Sequence, residues 1–350
     1  MNKFLEEILE QPKSLQDTLD FYLHGEGRAD IENILKIWKS KKFEQIVFTG
    51  MGSSFFASQA AVCLLNKYGI KAFVINSGEL LHYQLPLIQA DTLLICVSQS
   101  GESYEAVKIL DAIPEDVVCI GISNEADSAL AQKTKACLLS KAGPEEMTST
   151  KTFVSTLLVL NIFVLAMAND LTEAKIEGIK KLAEQADSII KTKEEWLAPA
   201  SEFLGHPAFV QLIGRGETFA SVQQSALMFK EGARNPASGL LGGEFRHGPL
   251  EMVKKGFKAI IFAPEGSTYQ QSIKLAEDII RFEGQVIVIT NSVSAIKNDN
   301  VFTIRVPETE EYLFPILSVI PVQFLVNEWA LSNGMEPGNF TRGAKVTVTE

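Results

Sequence analysis

Positive charge is in short supply: 32 lysines and arginines stand against 43 aspartates and glutamates, for a formal net charge of −11. That balance excludes the basic footprint of a nucleic-acid binder. Any phosphorylated ligand must be held by local donors, against an unfavourable overall field. Cysteine is scarce too. Cys63, Cys96, Cys119 and Cys137 have no CxxC spacing and lie in or beside apolar runs. They read as reduced core residues rather than a disulfide or zinc framework. The four histidines are scattered without ligand spacing, so neither a metal nor a cofactor is expected. The N-terminus, Met1-Asn2-Lys3-Phe4-Leu5-Glu6-Glu7, carries acids where an export signal is apolar. A cytoplasmic protein is the expectation. The apolar run 153–168 falls short of the ~20 residues of a membrane span and is interrupted by Ser155, Thr156 and Asn161. It reads as a buried core helix, and no membrane partner is expected.

What is present is an ordinary globular balance over 350 residues, 46% hydrophobic and 21% charged, which suits two domains. Residues 1–42 show helical patterns broken at Pro12 and near Gly25-Glu26-Gly27. Apolar β-rich runs at 45–49, 71–75, 92–97, 117–122 and 136–139 then alternate with helical stretches at 55–67, 104–112 and 152–168. A polar helical connection follows to about 196. A second alternation has strands expected at 208–213, 258–262, 285–290 and 301–304, with helices at 218–232, 269–282 and 312–332. This order predicts an α/β protein with doubly wound, mostly parallel sheets flanked by helices. The expected division is 1–42, 43–170, a connecting helix over 171–200, 201–332, and a tail over 333–350.

The halves repeat one another. Ile46-Val47-Phe48-Thr49-Gly50-Met51-Gly52 matches Val210-Gln211-Leu212-Ile213-Gly214-Arg215-Gly216, and Gly101-Glu102-Ser103-Tyr104 matches Gly266-Ser267-Thr268-Tyr269. Ser123-Asn124 matches Thr290-Asn291, all at an offset near ~165, the size of an ordinary domain. The copies part company after the third strand. Ser98, Gln99 and Ser100 in the first correspond to Ala263, Pro264 and Glu265 in the second. Proline removes a backbone donor and glutamate repels an anion, so only the first copy is expected to bind phosphate. Ser98, Ser100 and Ser103 offer hydroxyls where a strand gives way to a helix, and Gly101 lets backbone approach closely. Gly50-Met51-Gly52-Ser53-Ser54 stands in the same relation to the first strand, so both loops could converge on one ligand. On composition alone, a serine-rich turn is more often a helix cap.

SQSGES at 98–103, GMGSS at 50–54 and the stretch Ala142-Gly143-Pro144-Glu145-Glu146-Met147-Thr148-Ser149-Thr150-Lys151-Thr152-Phe153 together resemble a sugar isomerase (SIS) domain. Four later segments extend the likeness: Gly214-Arg215-Gly216, Lys230-Glu231, Gly243-Glu244-Phe245-Arg246-His247-Gly248-Pro249 and Ala344-Lys345-Val346-Thr347-Val348-Thr349-Glu350. The whole chain then resembles the tandem-SIS isomerase half of glucosamine-6-phosphate synthase and the glutaminase-lacking amino-sugar-phosphate deaminases.

The resemblance implies two tandem SIS domains and a phosphorylated-sugar substrate. It assigns phosphate and sugar binding to Ser53, Ser54, Ser98, Gln99, Ser100, Ser103, Met147 and Ala344. It makes Glu231 the acid–base that moves a proton between C1 and C2. His247 would open the sugar ring in a neighbouring subunit's site, which implies a homodimer. Lys345 would meet the open-chain carbonyl. The residue types suit that chemistry. Without the family, Glu231 beside Lys230 reads as a solvated pair, His247 as a turn cap and Lys345 as an exposed tail residue.

Asn2 follows Met1 where the synthase has its nucleophilic cysteine, so release of ammonia from glutamine is not expected of this chain. Met228 and Gln224 stand where the synthase has a lysine and a glutamate. The expected activity is therefore an amino-sugar 6-phosphate isomerase–deaminase, from glucosamine 6-phosphate or a close relative to the ketose 6-phosphate and ammonia. The alternatives are a fructosamine-6-phosphate deglycase or a non-catalytic sugar-phosphate sensor.

Overall fold

The computed structural model describes residues 1–294, 296–342 and 344–347; Val348, Thr349 and Glu350 of the terminal motif lie outside them. The chain forms two α/β units, each built on a five-stranded sheet whose strand pairs all run parallel. The first sheet contains β1 (Gln45–Gly50), β2 (Ala72–Asn76), β3 (Thr92–Val97), β4 (Val118–Ser123) and β5 (Ala136–Leu139), in the order β2-β1-β3-β4-β5. The second contains β6 (Val210–Gly214), β7 (Ala237–Leu241), β8 (Lys258–Phe262), β9 (Gln285–Thr290) and β10 (Val301–Arg305), in the order β10-β9-β8-β6-β7. Reversing that list gives the first sheet's order strand for strand, so the repeat read from sequence is a repeat of topology.

Each sheet changes winding direction once, between β1 and β3 in the first and between β6 and β8 in the second. Loops at the carboxyl ends of those strands open into the crevice where such sheets take ligands. Strand burial explains the parallel arrangement. Every residue of β3 is buried, as is β6, because helices cover both faces and leave no polar side. On the first sheet the helix Gly52–Lys67 packs against the helix Lys151–Met167, which is buried along its whole length. Phe48 meets Phe163 edge-on at 6.2 Å between ring centres, and each such buried ring contributes about 2 kcal/mol by leaving water.

In the second unit, Phe219–Gly232 packs on Phe314–Ser332, with Phe229 edge-on to Trp329. Among the described residues, Phe314–Ser332 is the one helix long and apolar enough to cross a membrane by length and composition, and 89% of it is buried inside the protein. That burial is the pattern of a core helix.

The units do not follow the chain in two blocks. One comprises Met1–Pro12 with Leu182–Phe340, and the other Lys13–Lys181 with the tail from Thr341. Side chains explain the first division. Asn2 caps the opening helix by accepting from the Leu5 N–H, and its amide donates to Asn327 at 2.9 Å. Gln11 donates to Gln323 at 2.7 Å within the same unit. From Ser14 onward, partners change to the other unit's own residues: Ser14 bonds the Ala142 carbonyl and Thr18 the Ser140 carbonyl. The connection expected as one helix over 171–200 is three, Glu173–Lys180, Leu182–Lys191 and Lys193–Leu204. The strand β7 was not expected. Its sequence, Ala-Ser-Gly-Leu-Leu, has no β-branched or aromatic residue and is only half-buried, so it pairs because β6 offers an edge.

None of the four cysteines is in a disulfide. Burial pushes the Cys96 thiol up to about 12, with Cys137 adding to the effect. Burial, then Asp30, push Cys137 up to about 12, and burial also raises Cys119. At about pH 8 a thiol-selective reagent should therefore leave Cys96, Cys119 and Cys137 unmodified in the folded protein and label all four in denaturant. Peptide mapping by mass spectrometry checks this; rapid native labelling of Cys96 would contradict the burial of β3.

Candidate functional site

The first-sheet unit brings its two serine loops to the carboxyl ends of neighbouring strands. After β1, a Cβ on Gly50 would lie 2.9 Å from the Val97 carbonyl oxygen, so only glycine lets the loop close over β3. After β3, Gly101 has φ +65°, and a side chain there would strike the Ser128 hydroxyl at 2.2 Å.

The loop 98–103 is held from below. Ser98 N–H donates to Ile122, and the Asn124 N–H and Ser123 hydroxyl both donate to the Gln99 carbonyl. Within it, the Gly101 N–H reaches the Ser98 hydroxyl at 3.2 Å, and the Ser98 and Ser103 hydroxyls lie 3.3 Å apart. Ser103 stands at the cap position of the helix Tyr104–Ala112, yet its side chain makes no capping bond. The bland reading of this serine as a helix cap does not hold.

A small hollow beside these loops is lined by Ser53, Ser54, Gln99, Ser149, Thr152, Phe153 and Thr156. It gathers three expected residues and adds Ser149 and Thr152, quoted within a motif but not singled out, and Thr156, noted above only as a break in the apolar run. Ser98, Ser100 and Ser103 do not line it; Ser98 is nearly buried, while Ser100 and Ser103 are partly exposed.

The tail reaches the same unit. Lys345 Nζ donates to Glu145 Oε2 at 2.6 Å and to the Met147 carbonyl at 2.7 Å. The Tyr104 N–H donates to the Thr347 carbonyl at 3.1 Å, so tail backbone satisfies a donor in the first turn of a helix. Lys345 is thus mostly covered, against its reading as an exposed tail residue, whereas Ala344 is exposed.

Glu145 is the residue that sequence reading missed. Its side chain is fully buried and accepts from the N–H and hydroxyl of both Thr150 and Thr152 as well as from Lys345. Burial pushes its carboxyl up, but the Lys345 charge and the hydrogen bonds from Lys345, Thr152 and Thr150 outweigh it, leaving the pKa below the ordinary value. Glu145 and Glu146 are adjacent acids, and one sequence cannot say which turns inward. Thr152 joins the two features, since it lines the hollow and donates to Glu145 at 2.6 Å.

The second-sheet unit carries the other two expected residues. Glu231 is half-buried in the last turn of Phe219–Gly232. His247 is exposed just past the short helix Gly242–Arg246. Met228 and Gln224 are fully buried on the helix that carries Glu231. In this unit the loop corresponding to 98–103 is filled by the protein itself. Ser267 donates to the Glu311 carboxylate at 3.1 Å, and a Cβ on Gly266 would meet that carboxyl carbon at 2.8 Å. Among the described residues no group of three or more His, Cys, Asp or Glu could hold a metal.

The SIS domain model matches residues 37–166 and again 208–332. The chain belongs to the SIS domain family. A glutamine–fructose-6-phosphate aminotransferase of Pyrococcus horikoshii is 29% identical over 99% of this chain and 57% of its own length. The chain spans about half the length of the curated relatives it matches. Among solved structures, the C-terminal domain of a glucosamine–fructose-6-phosphate aminotransferase from Francisella tularensis superposes with a TM-score of 0.87 at 23% identity, covering 97% of this chain and 98% of that one. A glucosamine-6-phosphate deaminase from Thermotoga maritima gives 0.77 at 22% identity, with 99% of both chains covered. These likenesses show the tandem-SIS fold.

The buried pair sets a stability test. Replacing Lys345 by Met leaves Glu145 buried without its counter-charge and should cost on the order of 3 kcal/mol, while the double change Glu145→Gln with Lys345→Met should cost less than Lys345→Met alone. Since folding holds Glu145 below its ordinary value of 4.5, its contribution is complete above that value and is lost as pH falls through the folded pKa. The gap between wild type and Lys345→Met should therefore narrow on acidification. Urea unfolding across the acid range checks both; additive single and double changes would contradict the pairing.

Proposed function

We propose that this chain is a phosphosugar isomerase whose substrate is an amino-sugar 6-phosphate, converted to the ketose 6-phosphate with release of ammonia. The observation that carries the reading is the continuity of the serine-lined hollow with Lys345 through Thr152 and Glu145. Anion donors and a held ammonium then lie within one unit, where a phosphorylated carbonyl compound needs them. The names of the relatives, which act on fructose 6-phosphate or glucosamine 6-phosphate, point to the same class.

In this reading Ser53, Ser54, Ser98, Gln99, Ser100 and Ser103 hold the phosphate with neutral donors. Met147 and Ala344 flank the sugar on either side of Lys345. His247, supplied by a second copy, protonates the ring oxygen and opens the pyranose. Glu231 takes the proton from C2 and returns it to C1, which turns the aminoaldose into a C2 imine. Water adds to that imine and ammonia leaves, so atoms balance without a redox partner. As an ammonium paired with Glu145, Lys345 is equipped to stabilise the oxyanion at O1 directly. Addition to the carbonyl would first require its proton to leave.

Met228 and Gln224, buried and uncharged on the helix that carries Glu231, stand where the synthase pattern has two charged groups, which counts against glucosamine synthesis. Glu231→Gln should lower turnover of glucosamine 6-phosphate at least ~100-fold while leaving phosphosugar binding within a few fold. A coupled ammonia assay with calorimetric binding checks it. Full turnover by Glu231→Gln would remove the proposed base. A free amino acid released from a fructosamine 6-phosphate, with no ammonia from hexosamine phosphates, would make the enzyme a deglycase.

A further inference from the structure

The Gly214-Arg215-Gly216 motif takes no part in the chemistry above. Arg215 leaves the carboxyl end of β6 at the position Met51 holds after β1. Its guanidinium lies against two glycines. A Cβ on Gly242 would fall 2.8 Å from Nε and 2.9 Å from Cζ and Nη2, and one on Gly243 would fall 3.7 Å from Nη1. Nε is buried and has no hydrogen-bond partner. Among the described residues, no ion pair to Arg215 is seen. The charge that acts on it is of like sign. Burial first, and Arg246 second, push the Arg215 guanidinium below its ordinary range.

Arg246 is itself engaged by Asp278 at 2.6 Å, and Asp278 also takes Arg281 at 3.0 Å. Asp278 is thus engaged by Arg246 and Arg281, not by Arg215. Arg215 is partly exposed, and its buried Nε is a donor left without a partner, which is unfavourable.

We propose that Arg215, cradled by Gly242 and Gly243 and flanked by Arg246, is an anion-binding site for a small phosphorylated metabolite, separate from the serine loops. The place favours a small ligand: β6 and β8 flank the point where the second sheet changes winding direction, and open α/β sheets take ligands there. The planar fork of arginine matches phosphate oxygens two at a time, and the glycines leave room for that approach. In the second loop of this unit the Ser267 hydroxyl is taken by Glu311. The second-sheet unit thus holds its anion by charge, where the first relies on hydroxyls.

Inorganic phosphate is the probe, titrated calorimetrically into the full chain. Ser98→Ala with Ser100→Ala disables the serine loop and should still bind phosphate, and adding Arg215→Met should weaken that binding by at least about tenfold. Phosphate affinity unchanged by Arg215→Met in that background overturns the proposal. So does a drop in self-association on sedimentation with phosphate binding intact, which would mark Arg215 as a contact to a second copy. If Arg215→Met does not fold, Arg215→Lys keeps the charge but loses the fork. A several-fold weaker affinity then supports the site, and an unchanged one overturns it. Failure of the serine loop to bind phosphate would count against the enzymatic reading and leave the Arg215 titration interpretable.

Discussion

A carboxylate with no exposure to water is the constraint around which the first-sheet unit is arranged. Burying Glu145 alone would cost several kcal/mol. The cost is offset because Thr150 and Thr152 each donate twice and Lys345 supplies the opposite charge. Three consequences follow from one side chain. It orders the start of the helix Lys151–Met167, where unpaired N–H groups favour a negative charge. It fixes Lys345 and with it the tail, whose described residues form no helix or strand. It orients Thr152, which is shared with the serine-lined hollow. A neutral glutamine at 145 could keep some of the hydrogen bonds but would give the ammonium no counter-charge.

The two sheets show how one topology supports different electrostatic solutions. Both place two loops at a change of winding direction, and both have glycines where the loops crowd the strands. In the first, hydroxyls and N–H groups surround Gly101. In the second, Glu311 already occupies the place beside Gly266 that an outside anion would need. An internal carboxylate is present at an effective concentration no free ligand reaches, so that loop is closed by its own chain. The neighbouring loop exchanges Met51 for Arg215 and so gains a charge that its surroundings do not neutralise.

The sequence was most legible where physical period and chemistry agree. Apolar strands such as Thr92–Val97 announce a sheet buried on both faces, and the ~165-residue repeat foretold two sheets of like order. It was least legible where tertiary pairing overrides local preference. Ala237–Leu241 lacks β-forming residues and becomes a strand only because β6 needs a neighbour. Glu145 is one of two adjacent acids, and its burial depends on a lysine 200 residues away, a distance no local pattern spans. Lys345 reads as exposed for the same reason. The family likeness named it, and the residue that holds it had to be found in the structure.

On the proposed reading, the use of hydroxyls by the first loop follows from the charge balance. A net charge of −11 repels a phosphate dianion at long range, and scattered lysines would be spent on neutralising that field. Neutral donors avoid the problem. Their strength comes from short-range geometry that salt hardly screens, and they impose no desolvation penalty of a buried cation when no ligand is bound. The price is precision, since each hydroxyl must be aimed. The bonds that fix the backbone at Ser98, Gln99 and Gly101 from the end of β4 supply that aim. On the proposed reading the two anion sites fall on different copies of the same fold, one built of hydroxyls and one on a guanidinium, and Thr152, beside Gln99 in the hollow, also donates to the Glu145 that holds Lys345.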